Sequence, residues 1–155
     1  MKAVGSGHPI NIDGIGGGVA VTTKIAILSK SEDEWADIDY FFAQVSVETK
    51  LVDFKPTCGN MLSGVGPAAI EMGLITAIGD SAEVKIRAVN TGARIVARVQ
   101  IQDGMPRYDG SAQIDGVPGS AAPVELNFMN VAGSSTGAFL PSGNLIDSFE
   151  GVEVT

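Results

Sequence analysis

Cysteine is nearly absent from this chain: Cys58 is the single one in 155 residues. One cysteine permits no internal disulfide, and together with the single histidine, His8, it cannot build a zinc centre of the usual Cys/His kind. Such a chain suits a reducing compartment, and the cytoplasm is the expected location. Basic residues are also scarce. Ten Lys and Arg against eighteen Asp and Glu give a net charge of -8 and a pI near 4.4. That balance argues against a nucleic-acid partner, which needs a basic face. A small anion is not excluded, because a site is governed by local dipoles and a few cations. No apolar run approaches the length of a membrane span, so no membrane partner is expected. The opening Met1-Lys2-Ala3-Val4-Gly5-Ser6 lacks the apolar stretch of a secretion signal. EF-hand spacing of acidic residues is missing, and no serine sits in a Gly-x-Ser-x-Gly context. Asp13 and Asp115, each followed by glycine, read as turn formers rather than a paired acid and base.

What is present is apolar and rich in glycine. Hydrophobic content of 45% and a mean hydropathy of +0.23 argue against disorder. The length fits a single domain over residues 1–155 with an ordinary core, and no repeat, heptad or linker interrupts it. Residues 5–18 hold Gly5, Gly7, Gly14, Gly16, Gly17 and Gly18, a stretch unsuited to a regular element but open to close backbone approach. Neither the Rossmann nor the Walker fingerprint is met there, which sets nucleotide binding aside.

Beyond it, Val19–Leu28 reads as a strand with Lys24 in its middle, where a charge would ordinarily mark a sheet edge or a solvent-facing position. Ser29–Asp37 is a polar, acidic loop carrying Trp35, Tyr40–Val47 a second strand, and Lys50–Phe54 a short third. Leu74–Ile78 is expected to be briefly extended. Val84–Val89 and Arg94–Ile101 form a hairpin across Asn90-Thr91-Gly92, with Lys85, Arg87, Arg94 and Arg98 on its solvated face. Asp103-Gly104 marks a turn, residues 109–119 a loop, Val124–Phe128 a strand, and residues 133–144 a tail rich in glycine and serine. One α+β domain follows, mostly strand around one central helix.

That helix is expected over about residues 60–72, from apolar residues at Met61, Leu62, Val65, Ala68, Ala69 and Met72. Gly73 stands where a left-handed C-terminal cap is wanted. Pro67 lies inside and should kink or loosen the turn, since it removes a hydrogen bond to Ser63. The start points free N–H groups and a positive dipole end at Cys58, Gly59 and Asn60, an arrangement that attracts carboxylates and lowers a neighbouring thiol. A lone cysteine is nevertheless more often a small buried hydrophobe than a reactive group.

Several motifs occur together in order: Gly5-Ser6-Gly7-His8-Pro9, Ile12-Asp13-Gly14-Ile15-Gly16-Gly17, Thr23-Lys24, Cys58-Gly59-Asn60-Met61-Leu62, Gly64-Val65-Gly66-Pro67, Val89-Asn90-Thr91-Gly92, Ile114-Asp115-Gly116-Val117-Pro118-Gly119 and Gly133-Ser134-Ser135-Thr136-Gly137. In this combination the chain resembles the family of 2-methylaconitate isomerase, 3-methylitaconate isomerase and 4-oxalomesaconate tautomerase. The resemblance implies the diaminopimelate epimerase fold, built of two similar lobes, each a curved, mainly antiparallel sheet around a central helix. It also implies transfer of a proton along an allylic system in a di- or tricarboxylate, with no cofactor and no metal. By position, the family's catalytic lysine and cysteine fall on Lys24 and Cys58. Its carboxylate-binding residues fall on Gly59 and Asn60, and Ser6, Gly7 and His8 match a loop near the site. Asn90 and Thr91 match a motif to which no role is assigned.

The chemistry suits these residue types. Removing a proton beside a carboxylate leaves a dienolate, whose charge preorganised N–H groups at a helix start stabilise. The base needs a pKa near the working pH, which partial desolvation can give a lysine. Lys24 could act as that base, form a Schiff base with a keto substrate, or hold a carboxylate as a cation. Cys58 could return or share the proton.

Family chains are about twice as long, the length of a second domain. Residues 1–155 are thus expected to span most of the first lobe, starting after the family's early Gly-Gly-Thr-Ser segment. The alternative function is a non-catalytic lobe binding a small carboxylate or a protein partner; a Cys58–His8 hydrolase is weaker still. The inner face of a lone lobe would be apolar and uncovered, and a two-fold homodimer is the expected partnership.

Overall fold

The computed structural model describes residues 23–47, 49–129 and 137–154. Nine strands and one helix follow one another in these segments: β1 Lys24–Lys30, β2 Ile38–Val45, β3 Val52–Asp53, α1 Gly59–Glu71, β4 Ser81–Ala88, β5 Ala93–Gln102, β6 Met105–Pro106, β7 Val124–Met129, β8 Asp147–Phe149 and β9 Val152–Val154. Seven of the strands form one sheet in the order β1-β2-β4-β5-β6, with β3 added to β2 and β7 to β5. Every pairing is antiparallel except β2 with β4, which run parallel from Ile38↔Ile86 to Tyr40↔Ala88. Between those two strands comes α1, the crossover that a parallel pair requires. The helix meets β1 on one flank and β5, β6 and β7 on the other, so the sheet curls around it.

Alternation decides which face turns inward. On β4 and β5 the residues Val84, Ile86, Ala88, Ile95, Ala97, Val99 and Ile101 are buried, and the intervening Lys85, Arg94 and Arg98 are exposed. Ile38, Tyr40 and Phe42 continue the same layer on β2 and meet Leu62, Val65, Ala69 and Ile70 from the helix. The outward arginines are paired: Arg87 donates to both carboxylate oxygens of Asp39 at 2.8 and 2.6 Å, and Arg94 reaches Asp33 at 3.5 Å while lying over the Trp35 ring. Arg98 bridges Glu83 and Glu125.

Helix α1 ends as its chemistry demands. Gly73 has φ +69°, its N–H bonds the Ile70 carbonyl and the Leu74 N–H bonds Ala69, a Schellman closure. Pro67 does not interrupt the helix, contrary to the expected loosening. The carbonyl it deprives belongs to Ser63, which is exposed to water, and Gly66 before it has no Cβ to collide with the proline ring. Gly66 also lies against the sheet, where a Cβ would stand 2.8 Å from Val99 Cγ2.

Other expectations shift. β1 continues past Leu28 to Lys30, and residues 19–22 lie outside the described residues. Leu74–Ile78 forms no strand, because the helix cap takes the Leu74 and Ile75 N–H groups back to Ala69. The hairpin β8–β9 follows the glycine- and serine-rich stretch without having been anticipated. No helix among the described residues is long and apolar enough to cross a membrane.

Candidate active site

The face parity of β1 decides where Lys24 points. Lys24 pairs with Gln44, Ala26 with Phe42 and Leu28 with Tyr40, so all three β1 residues project on the helix side of the sheet. Ala26 and Leu28 pack on the core, and Lys24 extends to the start of α1, where its Nζ lies 3.3 Å from Cys58 Sγ. A lysine in an apolar strand is thereby neither a solvent-facing charge nor an unpaired buried one.

Cys58 is the N-cap of α1, in extended conformation at φ -136° and ψ 113°. Its carbonyl accepts the Leu62 N–H at 3.0 Å, leaving the N–H groups of Gly59, Asn60 and Met61 outside the helical ladder. No acidic residue sits in the first turn to offset that positive end. Burial pushes the half-buried Cys58 thiol up. The Met61 N–H, the Lys24 ammonium and the Asn60 N–H outweigh it and hold the thiol below its ordinary value. Neither N–H makes a full capping hydrogen bond to the sulfur, so both act as oriented dipoles, whereas Lys24 makes direct contact. Gly59 and Asn60 are exposed beside the pair. A groove of about 340 Å³ runs along the helix from Asn60 and Met61 past Ala26 and Leu28 to Met72.

Tyr40 in β2 is fully buried and its hydroxyl has no hydrogen-bond partner; burial, with the charge on Cys58 adding to it, pushes that hydroxyl up to about 12. Asn90 supports the approach to the turn. Its side chain accepts the Phe42 N–H at 2.8 Å and donates to the Phe42 carbonyl at 2.8 Å, continuing the ladder where β4 ends at Ala88. It also donates to the Phe54 carbonyl, and the Phe54 ring stacks on Phe41 at 5.4 Å between centroids. This carboxamide thus ties β2 to the segment that delivers Cys58.

Four of the seven site residues proposed from sequence therefore meet: Lys24, Cys58, Gly59 and Asn60. The other three, Ser6, Gly7 and His8, lie outside the described residues, so the Cys58–His8 pairing finds no geometry here. Tyr40 escaped sequence reasoning; its signal was its parity with Phe42, which places it on the inner face. Among the described residues, no three His, Cys, Asp or Glu gather where they could hold a metal.

A mainly antiparallel sheet curled about one helix, with a lysine and a cysteine joined at the helix start, is a lobe of the diaminopimelate epimerase-like kind. The chain superposes on a crystal structure of methylitaconate-delta-isomerase with a TM-score of 0.87 at 41% identity, covering 95% of this chain and 38% of that one. The family model described as PrpF protein matches residues 1–155, and the chain belongs to that family. It is 56% identical over 155 residues to YbhH of Escherichia coli (strain K12). It is also 50% identical over 155 residues to 4-oxalomesaconate tautomerase of Pseudomonas putida (strain KT2440). All of this chain is covered in both cases, but only 44% and 43% of those proteins. The chain spans less than half the length of the relatives it matches.

Proposed function

We propose that this chain carries the lysine–cysteine part of an isomerase site that moves a proton along an allylic system in an unsaturated di- or tricarboxylate. The observation that carries the reading is the 3.3 Å contact between Lys24 Nζ and Cys58 Sγ at an uncompensated helix start. The names of similar proteins support the substrate class: one relative is a 4-oxalomesaconate tautomerase, and a 3-methylitaconate isomerase from Eubacterium barkeri is 41% identical over 147 residues.

In the mechanism that follows, a substrate carboxylate rests on the N–H groups of Gly59 and Asn60, where the helix dipole favours negative charge. With Lys24 as ammonium and Cys58 as thiolate, the sulfur is the group able to accept a proton and the amine the group able to give one. Cys58 takes the allylic proton; as the C–H bond breaks, its electron pair forms a new double bond to the middle carbon and the pair of the original double bond shifts toward the carboxylate-bearing end. The resulting dienolate is stabilised by the same N–H groups. Lys24 delivers a proton to the far carbon of the allyl unit, and transfer from thiol to amine restores the starting state. The pair gains and loses nothing over the cycle, so no redox cofactor is needed.

The test follows 3-methylitaconate, 2-methylaconitate and 4-oxalomesaconate by proton NMR in heavy water. It is made with this chain and with a chain of the relatives' full length. Exchange and isomerisation are expected for one of these substrates, with Cys58→Ser and Lys24→Met each lowering the rate by about 10²–10⁴-fold. An active protein whose rate ignores both substitutions would refute the assignment. Binding of the carboxylate with no exchange in either chain would instead favour a non-catalytic binding lobe.

A further inference from the structure

Cys58 is the single cysteine of the chain, so a sulfur oxidised here meets no second thiol that could resolve it as an internal disulfide. What stands beside it is an amine. Lys24 Nζ lies 3.3 Å from Cys58 Sγ, in direct contact across thirty-four positions. The two ends of that contact are held by separate elements. Lys24 is fixed by the register of β1 on β2, and Cys58 by its place as the N-cap of α1, so nitrogen and sulfur are brought together before any reaction begins.

Neither partner is sealed from solvent. Cys58 is half-buried at the head of the helix, Lys24 is half-buried in β1, and Gly59 and Asn60 beside them are exposed. A molecule as small as hydrogen peroxide therefore reaches the sulfur. The thiol is held below its ordinary value, and the thiolate is the form that such an oxidant attacks.

We infer that Cys58 and Lys24 form a redox-sensitive pair: hydrogen peroxide joins them through a sulfur–nitrogen bond, and a small thiol parts them again. In the first step the thiolate attacks one peroxide oxygen. An S–O bond forms, the O–O bond breaks, and the hydroxide released takes a proton from the Lys24 ammonium to become water. Sulfur has lost two electrons and peroxide has gained them, leaving a sulfenic acid beside a neutral amine. In the second step the nitrogen attacks the sulfur. The S–N bond forms, the S–O bond breaks, and hydroxide leaves as water with one of the amine hydrogens. Two molecules of a small thiol reverse the change, returning thiol and amine and becoming one disulfide themselves. The crosslink shelters the sulfur from irreversible oxidation to the sulfinic acid. On the reading above it also withdraws both proton-transfer groups while it lasts.

The experiment treats the chain with hydrogen peroxide, with no substrate present, and reads its intact mass. A loss of about 2 Da is expected, the two hydrogens given up in the crosslink, and dithiothreitol should restore the parent mass. Tryptic digestion of the treated chain should yield the Lys24 and Cys58 peptides joined. Lys24→Met should instead gain oxygen, about 16 Da or more, under the same treatment. A parent chain that only gains oxygen, or that is found only as a disulfide-linked dimer, overturns the inference. So does a loss of about 2 Da that persists in Lys24→Met, since a backbone nitrogen would then be the partner. Should Lys24→Met fail to fold, reductive dimethylation of the folded parent replaces it. The tertiary amine has no hydrogen to give up, so persistence of the crosslink mass there overturns the inference equally. The readout needs no turnover, and its failure leaves the isomerase reading standing.

Discussion

A methyl group added at Gly64 and one added at Gly66 should act on stability in opposite directions, although the two positions lie two residues apart on the same helix. At Gly64 nothing stands within 4 Å of the new Cβ. Gly64→Ala therefore gains the intrinsic helix preference of alanine, about 1 kcal/mol. The same gain is available at Gly66, but there the Cβ would lie 2.8 Å from Val99 Cγ2 and 3.3 Å from Ala97 Cβ. Val99 is buried and stiff at its first side-chain torsion, so it cannot swing away. Overpacking of this kind costs about 1–3 kcal/mol. The Cβ would also press on the Pro67 ring, which disfavours helical backbone before it. Gly66→Ala should thus lose about 1 kcal/mol net, which for a chain of this size is about 2–4 °C in melting temperature. Urea unfolding of the two variants and the parent chain makes the comparison, with equal slopes required for a fair reading. Val99→Ala introduced with Gly66→Ala should cost less than the sum of the two single changes, because each relieves the other. If Gly66→Ala proves as stabilising as Gly64→Ala, the close seating of α1 on β5 is wrong.

Other perturbations test the remaining supports. Asn90→Ala leaves the buried Phe42 N–H and carbonyl unpaired, a loss of about 2–6 kcal/mol at about 1–3 kcal/mol each, read by urea unfolding. Asn90→Asp should not rescue it, since a carboxylate would face the Phe42 and Phe54 carbonyls; full rescue would contradict the assigned hydrogen bonds. The Asp39 carboxyl is held below its ordinary value chiefly by the Arg87 hydrogen bond, against the opposing effect of burial and with help from Ser31. A depressed folded pKa contributes stability that is complete above about pH 4 and is lost as pH falls through the folded value. Asp39→Asn should flatten the stability curve below about pH 4, and an unaltered acid limb would remove Asp39 from that account.

Local chemistry was legible in the chain itself. The helix over Gly59–Glu71 follows from apolar spacing, its end from Gly73, and the β4–β5 hairpin from alternation around Asn90-Thr91-Gly92. These rest on contacts between near neighbours in sequence, so a short window contains their causes. Cys58 at the helix start belongs to the same class. Pro67 misled for a local reason as well: its cost depends on whether Ser63 meets water, which spacing does not show.

Everything that joins distant segments was decided by the tertiary structure. Lys24 and Cys58 are thirty-four positions apart; they were brought to one site on paper by family resemblance, and no spacing rule connects them. Their contact exists because β1 runs antiparallel to β2 in a register that turns Lys24 to the helix side. Asn90 reaches Phe42 across forty-eight positions because β2 and β4 lie parallel and β4 stops two residues before the position that faces Phe42. Tyr40 could be assigned to the core from its parity, but that its buried hydroxyl is left without a hydrogen-bond partner appears only in the packed core. The physical reason is common to all three. Hydrophobic patterning determines which face of an element is buried and says little about which polar group waits on the other side.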